Sequence, residues 1–374
     1  MILALIIITV TYLVIIGRFI YGFDKVKGFQ LLDSHPETTF TIIIPFRNES
    51  ENLQDLLKSL SGLSYPSDKY EVILVNDDSE DNSLDIILKF LDSSKINMKV
   101  ISNDRKTNSP KKDAISTAIN KAKNEWILTS DADCIFHNDW LLTFDAFIQE
   151  KKPEMVVGPV TYDIDHSLFE RFQFMDFMSL AGATIGAFGI NKPFLCNGAN
   201  LAYKKEAFLE LNGFSGSKDI ASGDDIFLLE KFVEHVPQEV QYLKSKQAMV
   251  TTKAQATWSL LVAQRKRWAA KTSSYGNAFS KIVAAIVLLM NFSLLAALFL
   301  AFFNVFSFKT IGYVFLVKFW IDLWLIQKTA QFLEASQHLR PYVLVSLFYP
   351  IFNVYIALSA WYGGYQWKGR TFEK

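Results

Sequence analysis

The chain of 374 residues is poor in cysteine and carries no excess of either charge. Its two cysteines, Cys134 and Cys196, lack the close spacing of a metal clip. Two buried thiols in a reducing compartment suit them better than a disulfide framework. The five histidines, His35, His137, His166, His235 and His338, share no spacing with another candidate ligand, which removes the common zinc patterns. Thirty-eight Lys and Arg balance 38 Asp and Glu, so no general electrostatic pull toward nucleic acid is expected. The N-terminus has neither the basic start nor the small-residue cleavage site of a secretory signal. What the chain has instead is apolar surface. Half of its residues are hydrophobic, 32 are Phe, and the mean hydropathy is +0.16, high for a soluble enzyme. The excess lies in the first twenty residues and the last hundred.

"MILALIIITVTYLVII" at residues 1–16 is uncharged, and Arg18, Lys25 and Lys27 follow it. By the positive-inside rule the N-terminus then faces out, and the next domain is cytoplasmic. Residues 282–303 have only Asn291 and Ser293 as polar breaks and make about 33 Å of helix, enough to cross a bilayer. Residues 343–362 are a second candidate, with Pro350 as a kink or loosening point. Between them, 311–327 carries Lys318 and Asp322. Four apart, these can pair on one helix face, so both a spanning and an interfacial placement stay open. Basic residues flank both ends of the last segment and leave its topology unsettled.

In the middle, apolar runs alternate with helix-like segments. "TFTIIIPF" (39–46), "YEVILVND" (70–77), "MKVIS" (98–102) and "EWILTSDAD" (125–133) read as strands. "ENLQDLLKSL" (51–60), "SLDIILKFL" (83–91) and "KKDAISTAINKAK" (111–123) read as the helices between them. That order predicts β-α-β units and a mostly parallel sheet. Ligands of such sheets bind beyond the carboxyl ends of the strands, where Asn76, Asp77, Asp78, Asp131 and Asp133 fall. Asp131 and Asp133 are one residue apart. Turn-forming Asp explains such a pair blandly. A hard divalent cation that offsets their repulsion explains it chemically, and Mg²⁺ or Mn²⁺ takes one or two carboxylates together with phosphate oxygens.

"IIIPFRNESENL", "ILVNDDSEDNS", "PKKDAISTAI" and "TSDADC" occur here in the order found in family 2 glycosyltransferases of the GT-A fold. "GDDIFLLEKF" (223–232) and "QRKRW" (264–268) resemble the acceptor-side motifs of membrane-associated members, the cellulose synthases, hyaluronan synthases and ceramide glucosyltransferases. The resemblance covers roughly residues 40–272, and the ordered set of six is far more specific than any single motif. It implies an α/β GT-A domain flanked by transmembrane helices. The expected boundaries are an anchor at 1–22, the GT-A domain at 36–253, an amphipathic segment at 254–279 and membrane or interfacial helices at 280–374. It also implies a multi-pass protein of a bacterial inner membrane with its catalytic domain in the cytoplasm.

The same resemblance assigns residues. Asp77 matches the position that contacts a uracil-type base; Asn76 stands where many relatives have a second Asp. Glu49 is a donor-side residue or a cap for a helix starting near Ser50. Lys111 matches the lysine before an Ala-Leu-like pair, here Ala114-Ile115, which makes Lys112 a solvated neighbour. Asp131 and Asp133 resemble the Asp-x-Asp signature that holds the metal and the donor diphosphate, with Asp133 the more direct ligand. Asp225 aligns with the catalytic base, while Asp224 stands where Glu is commoner; either Asp could instead cap the following helix. Gln264, Arg267 and Trp268 lie on an amphipathic helix expected over 255–271. There Arg267 clamps diphosphate and Trp268 stacks on the acceptor. The bland alternative is a basic face on anionic headgroups.

The Phe-rich stretch 167–203 lacks the uninterrupted length of a span. It reads as a buried helix pair, or as a greasy surface dipping into the bilayer beside a lipid acceptor, before Asn197-Gly198 turns the chain back to the sheet. The expected activity is inverting transfer of a sugar from a nucleotide-sugar donor, a UDP-sugar first, to a membrane-associated lipid. A glycan acceptor under processive synthesis is the alternative; with few apolar segments to line a polymer channel, single transfer is preferred. An inactive scaffold would show loss of Asp133, Asp225 or Arg267, and all three are present. A nucleotidyl- or phosphotransferase could use the same two-aspartate site, but the Gln-x-x-Arg-Trp segment gives no reason to prefer it.

Overall fold

The computed structural model describes residues 1–31, 35–94, 96–165, 167–216, 222–271, 274–361, 365–367 and 370–372. His166 and Tyr362 lie outside the described residues. Along the chain the elements are α1 (Ile2–Lys25), β1 (Phe40–Phe46), α2 (Leu53–Ser61), β2 (Tyr70–Asn76), α3 (Ser83–Leu91), β3 (Met98–Ser102) and α4 (Pro110–Ile119). Next come β4 (Trp126–Thr129), β5 (Ile135–Phe136), α5 (Trp140–Lys151), β6 (Met155–Val157), β7 (Val160–Asp163) and α6 (Leu168–Gly189). Then follow β8 (Leu201–Lys204), α7 (Lys205–Glu210), α8 (Asp224–His235), β9 (Val240–Tyr242) and β10 (Val250–Lys253). The last long helices are α9 (Trp258–Ala270), α10 (Ala278–Ala301), α11 (Phe308–Phe332) and α12 (Tyr342–Trp361).

These elements fall into two units. One comprises Lys27–Asp163 and Leu195–Lys253. Its seven-stranded sheet runs β3-β2-β1-β4-β8-β6-β9. β1 pairs in parallel with β2 and β4, and β2 in parallel with β3. β8 runs antiparallel to both β4 and β6. Ile42, Ile43, Ile44, Val72, Ile73 and Leu74 are fully buried, as expected of parallel strands covered on both faces, and this is why they read as unbroken apolar runs. Leu53, Leu56, Leu57 and Leu60 supply the buried stripe of α2. α4 stops at Ile119, earlier than its sequence pattern suggests. Lys121 and Ala122 donate to Ala118 and Ile119 in tight three-residue bonds that close its last turn. A second sheet, β5-β10-β7, continues from the end of β4.

The reversed strand matters for the site. Thr129 of β4 registers with Leu201 of β8, so β8 starts where β4 ends. The short 3₁₀ turn Gly198–Asn200 therefore lies at the same edge as the carboxyl ends of the parallel strands. Asn197 caps this turn, its side chain accepting from the Ala199 N–H at 3.0 Å. The Thr129 hydroxyl donates to the Gly198 carbonyl at 3.0 Å and Ser130 to the Ala199 carbonyl at 2.8 Å.

The other unit comprises Met1–Val26, Ile164–Phe194 and Ala254–Lys374. Among the described residues, four of its helices are long and apolar enough to cross a membrane: Ile2–Lys25, Ala278–Ala301, Phe308–Phe332 and Tyr342–Ala360. The third includes the segment whose placement the sequence left open. Its Lys318 ammonium is buried and lies 2.5 Å from Asp322, whose other oxygen accepts from the Tyr12 hydroxyl at 2.6 Å. Pairing of this kind makes ionisable groups tolerable inside an apolar bundle. The Phe-rich stretch forms one helix, α6, rather than a helix pair. Aromatic and aliphatic residues all round its circumference are buried, as befits a helix enclosed by others.

Glycine permits the approach of α1 to α6. A Cβ on Gly186 would stand 2.3 Å from the Phe19 carbonyl oxygen, and one on Gly189 would stand 1.8 Å from that of Gly22. These are backbone atoms that cannot move without separating the helices. Gly186→Val should therefore cost about 3 kcal/mol or more and lower the melting temperature of the detergent-purified protein. Gly17→Ala, where nothing lies within 4 Å of the added carbon, should melt like the wild type. Equal melting of both variants would refute the close approach.

Candidate active site

Phe46, the end of β1, leads into Arg47, Asn48 and Glu49. The end of β2 leads into Asp77 and Asp78, and the end of β4 into Ser130 to Asp133. Asn48 and Asp78 both adopt left-handed backbone, with φ of 52° and 55°, the conformation that Asn and Asp tolerate best in turns.

Asp77 is buried. One of its carboxylate oxygens accepts from the Asn103 amide at 2.8 Å and from Arg105 Nε at 2.6 Å. Arg105 also reaches Asp78 at 2.8 Å, and Arg47 donates to the Asp77 carbonyl at 2.9 Å. Asn103 further donates to the Pro110 carbonyl at 3.0 Å. It thereby ties the Asp77 corner to the first turn of α4, which carries Lys111.

Lys111 is the hub of the second cluster. Its ammonium lies 2.7 Å from Asp131 and 3.4 Å from Asp224. Burial alone would lower its pKa, but the carboxylates of Asp131 and Asp224 outweigh it and hold the ammonium well above the ordinary lysine range. Lys112 is not the solvated neighbour expected from the motif. It shares a face of α4 with Ile115 and Ile119 and is 2% exposed, with its ammonium 4.7 Å from the centre of the Phe227 ring.

Asp133 faces the opposite situation. Burial, then Asp131, then Glu49 push its carboxyl up to about 6, against a hydrogen bond with Thr252 of β10 that acts the other way. Negative charge gathers here faster than the protein neutralises it. Glu49 does not cap a helix starting near Ser50. α2 begins at Leu53 with Asn52 as its cap residue, and the Glu49 carboxylate accepts from the Asn52 side chain at 2.7 Å.

The N-cap residue of α8 is neither Asp224 nor Asp225 but Gly223, at φ 83°. Asp224 is buried and turned to Lys111. Asp225 is half-buried; its carboxylate accepts from the Gly198 N–H at 3.2 Å and from the Ile226 N–H at 2.8 Å. Gly198 is wedged among these groups: an added Cβ would lie 3.1 Å from Asp224 Oδ2 and 3.4 Å from both Lys111 Nζ and Asp225 Cβ. Gly198→Ala should shift the two carboxylates by a few tenths of an ångström and slow turnover roughly tenfold, or about 1.4 kcal/mol of barrier. Melting should be nearly unchanged. A steady-state assay beside a thermal melt checks both.

One edge of this unit thus brings together Glu49, Asp77, Lys111, Asp131, Asp133 and Asp225. Gln264, Arg267 and Trp268 stand on α9 in the other unit, capped by Thr257, which accepts from the Leu260 N–H. Arg47, Asn103, Arg105, Asp224, Gly198 and Thr252 escape a reading of the motifs. Arg47 and Asp224 sit inside quoted motifs, where their partners do not show; the rest reveal themselves only through contacts distant in sequence. Cys134 and Cys196 are both free thiols.

The donor set at the end of β4 suits a hard cation. Asp131, paired on one side with Lys111, and Asp133, crowded by Asp131 and Glu49, offer oxygen ligands at one strand end. Among the described residues no group of three His, Cys, Asp or Glu converges to complete a coordination shell. A cation here would need phosphate oxygens and water as further ligands, the habit of Mg²⁺ and Mn²⁺.

Residues 41–211 match the family model described as glycosyl transferase family 2. The poly-β-1,6-N-acetyl-D-glucosamine synthase of Staphylococcus epidermidis is 26% identical over 270 residues, covering 68% of this chain and 61% of that protein. The poly(ribitol-phosphate) β-N-acetylglucosaminyltransferase TarS of Staphylococcus aureus is 30% identical over 118 residues, 32% of this chain and 20% of that protein. The chain thus spans about three fifths or less of the length of these relatives. Among solved structures, a mannosyltransferase from Pyrobaculum calidifontis in complex with GDP-Man and Mn²⁺ superposes with a TM-score of 0.55 at 16% identity, covering 96% of this chain and 98% of that one. Residues 41–211 thus resemble glycosyl transferase family 2 on a GT-A fold, and the carboxylates after β1, β2 and β4 lie within the matched residues.

Proposed function

We propose that the protein is an inverting glycosyltransferase that moves a sugar from a nucleotide-sugar donor, a UDP-sugar first, to a membrane-associated acceptor. The observation that carries this reading is the single edge where a half-buried carboxylate, Asp225, adjoins the Lys111 hub and the Asp131/Asp133 pair. An acceptor hydroxyl is a poor nucleophile at neutral pH and needs a carboxylate in hydrogen-bond reach. Asp225 takes its proton as the hydroxyl oxygen bonds to the anomeric carbon. The bond from that carbon to the phosphate oxygen breaks, and the nucleoside diphosphate departs with the electron pair. Lys111 stays charged through this step and faces the developing negative charge. Asp131 and Asp133 would hold Mg²⁺ or Mn²⁺, which when bound neutralises the leaving diphosphate. Asp77, fixed by Asn103 and Arg105, takes the base-contacting role of its motif. With one base and no covalent nucleophile, the configuration at the anomeric carbon inverts.

Gln264, Arg267 and Trp268 take the diphosphate and acceptor roles of the family segment, an assignment that rests on the ordered motifs. The N-terminus faces out and the GT-A domain lies in the cytoplasm, from the charges after the first apolar run. A lipid acceptor and single transfer suit four candidate spans. Similarity to a polymer synthase over 68% of the chain favours processive synthesis as the second reading. Membranes containing the full chain, supplied with a panel of labelled nucleotide sugars and examined by mass spectrometry, separate the two. One sugar on a lipid is expected. A ladder of oligomers supports the polymer, and no consumption of any donor refutes both.

A further inference from the structure

Two polar side chains of the largely apolar α6 are buried, Gln173 and Asp176, three apart and so on one face. Both are spent on α9. Gln173 donates to the Gln255 carbonyl and accepts from the Gln255 N–H, each at 2.9 Å, just ahead of the first turn of α9. Asp176 accepts from Arg265 Nε at 2.6 Å, and the two side chains are only 7% and 6% exposed. Tyr349 of α12 also neighbours Asp176. The Arg265 guanidinium carbon lies 4.2 Å from the centre of the Trp268 ring, and its Nη1 bonds to the Gln264 side chain. Arg265 is therefore no headgroup contact. It links α6 to both Gln264 and Trp268, the flanking members of the Gln-x-x-Arg-Trp segment. A buried ion pair adds little net stability over apolar residues of like volume, but it fixes geometry closely.

We propose that Asp176 is a positioning residue: through Arg265 it sets the orientation of Trp268 and Gln264, and hence the acceptor side of the reaction. This rests on the glycosyltransferase reading above. Removal of one partner would strand a buried charge and endanger folding, so the decisive variant is the double Asp176→Leu/Arg265→Met, which refills the volume without charge. In the full chain in detergent, its melting temperature should stay near that of the wild type. Transfer should fall at least tenfold, with the KM for acceptor raised and the affinity for UDP unchanged. Asp176→Glu, which keeps the charge, should recover most of the transfer. A second readout needs no turnover: trypsin cleavage after Lys266 and Arg267, followed by mass spectrometry, should be at least tenfold faster in the double variant. Wild-type transfer or wild-type cleavage in a folded double variant overturns the proposal. A wild-type protein that consumes no nucleotide sugar refutes the transferase reading instead, while the cleavage measurement still decides whether Asp176 orders α9.

Discussion

Asp225→Asn should slow sugar transfer by about 10² to 10⁴-fold while nucleotide-sugar affinity stays within about twofold. The amide keeps the size of the carboxylate and an acceptor for the Ile226 N–H, so the start of α8 should hold its shape, although the longer bond from the Gly198 N–H, made to the other oxygen at 3.2 Å, is lost. What it lacks is a site for the acceptor proton. Asp224→Asn tests the register of the motif and should behave differently. Asp224 is buried against Lys111 at 3.4 Å, so its loss frees Lys111 to lean further on Asp131. The effect should appear in donor binding and stability as well as in turnover. Single-turnover transfer and nucleotide binding, measured on both variants in detergent, distinguish them. A dead Asp224→Asn beside an active Asp225→Asn would move the base by one residue.

Asp133→Asn should reduce activity by about 10³-fold or more, comparable with losing the charge stabilisation of a leaving diphosphate. Expression and melting should survive, because the residue lies at the edge of the sheet rather than in its core. Asp133 is a carboxyl whose pKa is raised to about 6. Its proton is therefore held up to that pH and must leave before a cation binds. Mn²⁺ affinity should weaken as pH falls through about 6 and level off above it. The sign for stability is the reverse of that for a salt-bridged aspartate. Folding binds a proton here, so without a cation this group favours the folded state at low pH and loses that contribution as pH rises through about 6. In Asp133→Asn the melting temperature should lose this component. Full activity in excess chelator would remove the metal from the account.

Much of the sheet is legible in the chain because its strands are buried on both faces. "TIII" and "VILV" leave no room for a helix period, and the helices between them carry clear apolar stripes. The strand-end acids are legible too, since the fold class alone sends them to one edge. What sequence reasoning misses are partners that chain separation hides. Nothing in the loop at Arg105 announces that it grips Asp77, and nothing in "GDD" says that its first Asp answers Lys111, over a hundred positions earlier. Lys112 illustrates a different failure. A lysine beside another lysine reads as solvated, yet the helical period puts it with Ile115 and Ile119 under an aromatic ring. α6 misleads for a third reason. Enclosed all round, it has no amphipathic stripe to mark it as a single helix, and its buried Gln173 and Asp176 look like interruptions until α9 is laid against them.

The most direct test is the configuration of the new linkage. The purified full chain, given an α-linked UDP-sugar, Mn²⁺ and a membrane extract as acceptor source, should form a product whose anomeric proton shows a β linkage by NMR. That is the outcome of one displacement with Asp225 as base. A product with retained α configuration, or a sugar left covalently on the protein, would contradict it.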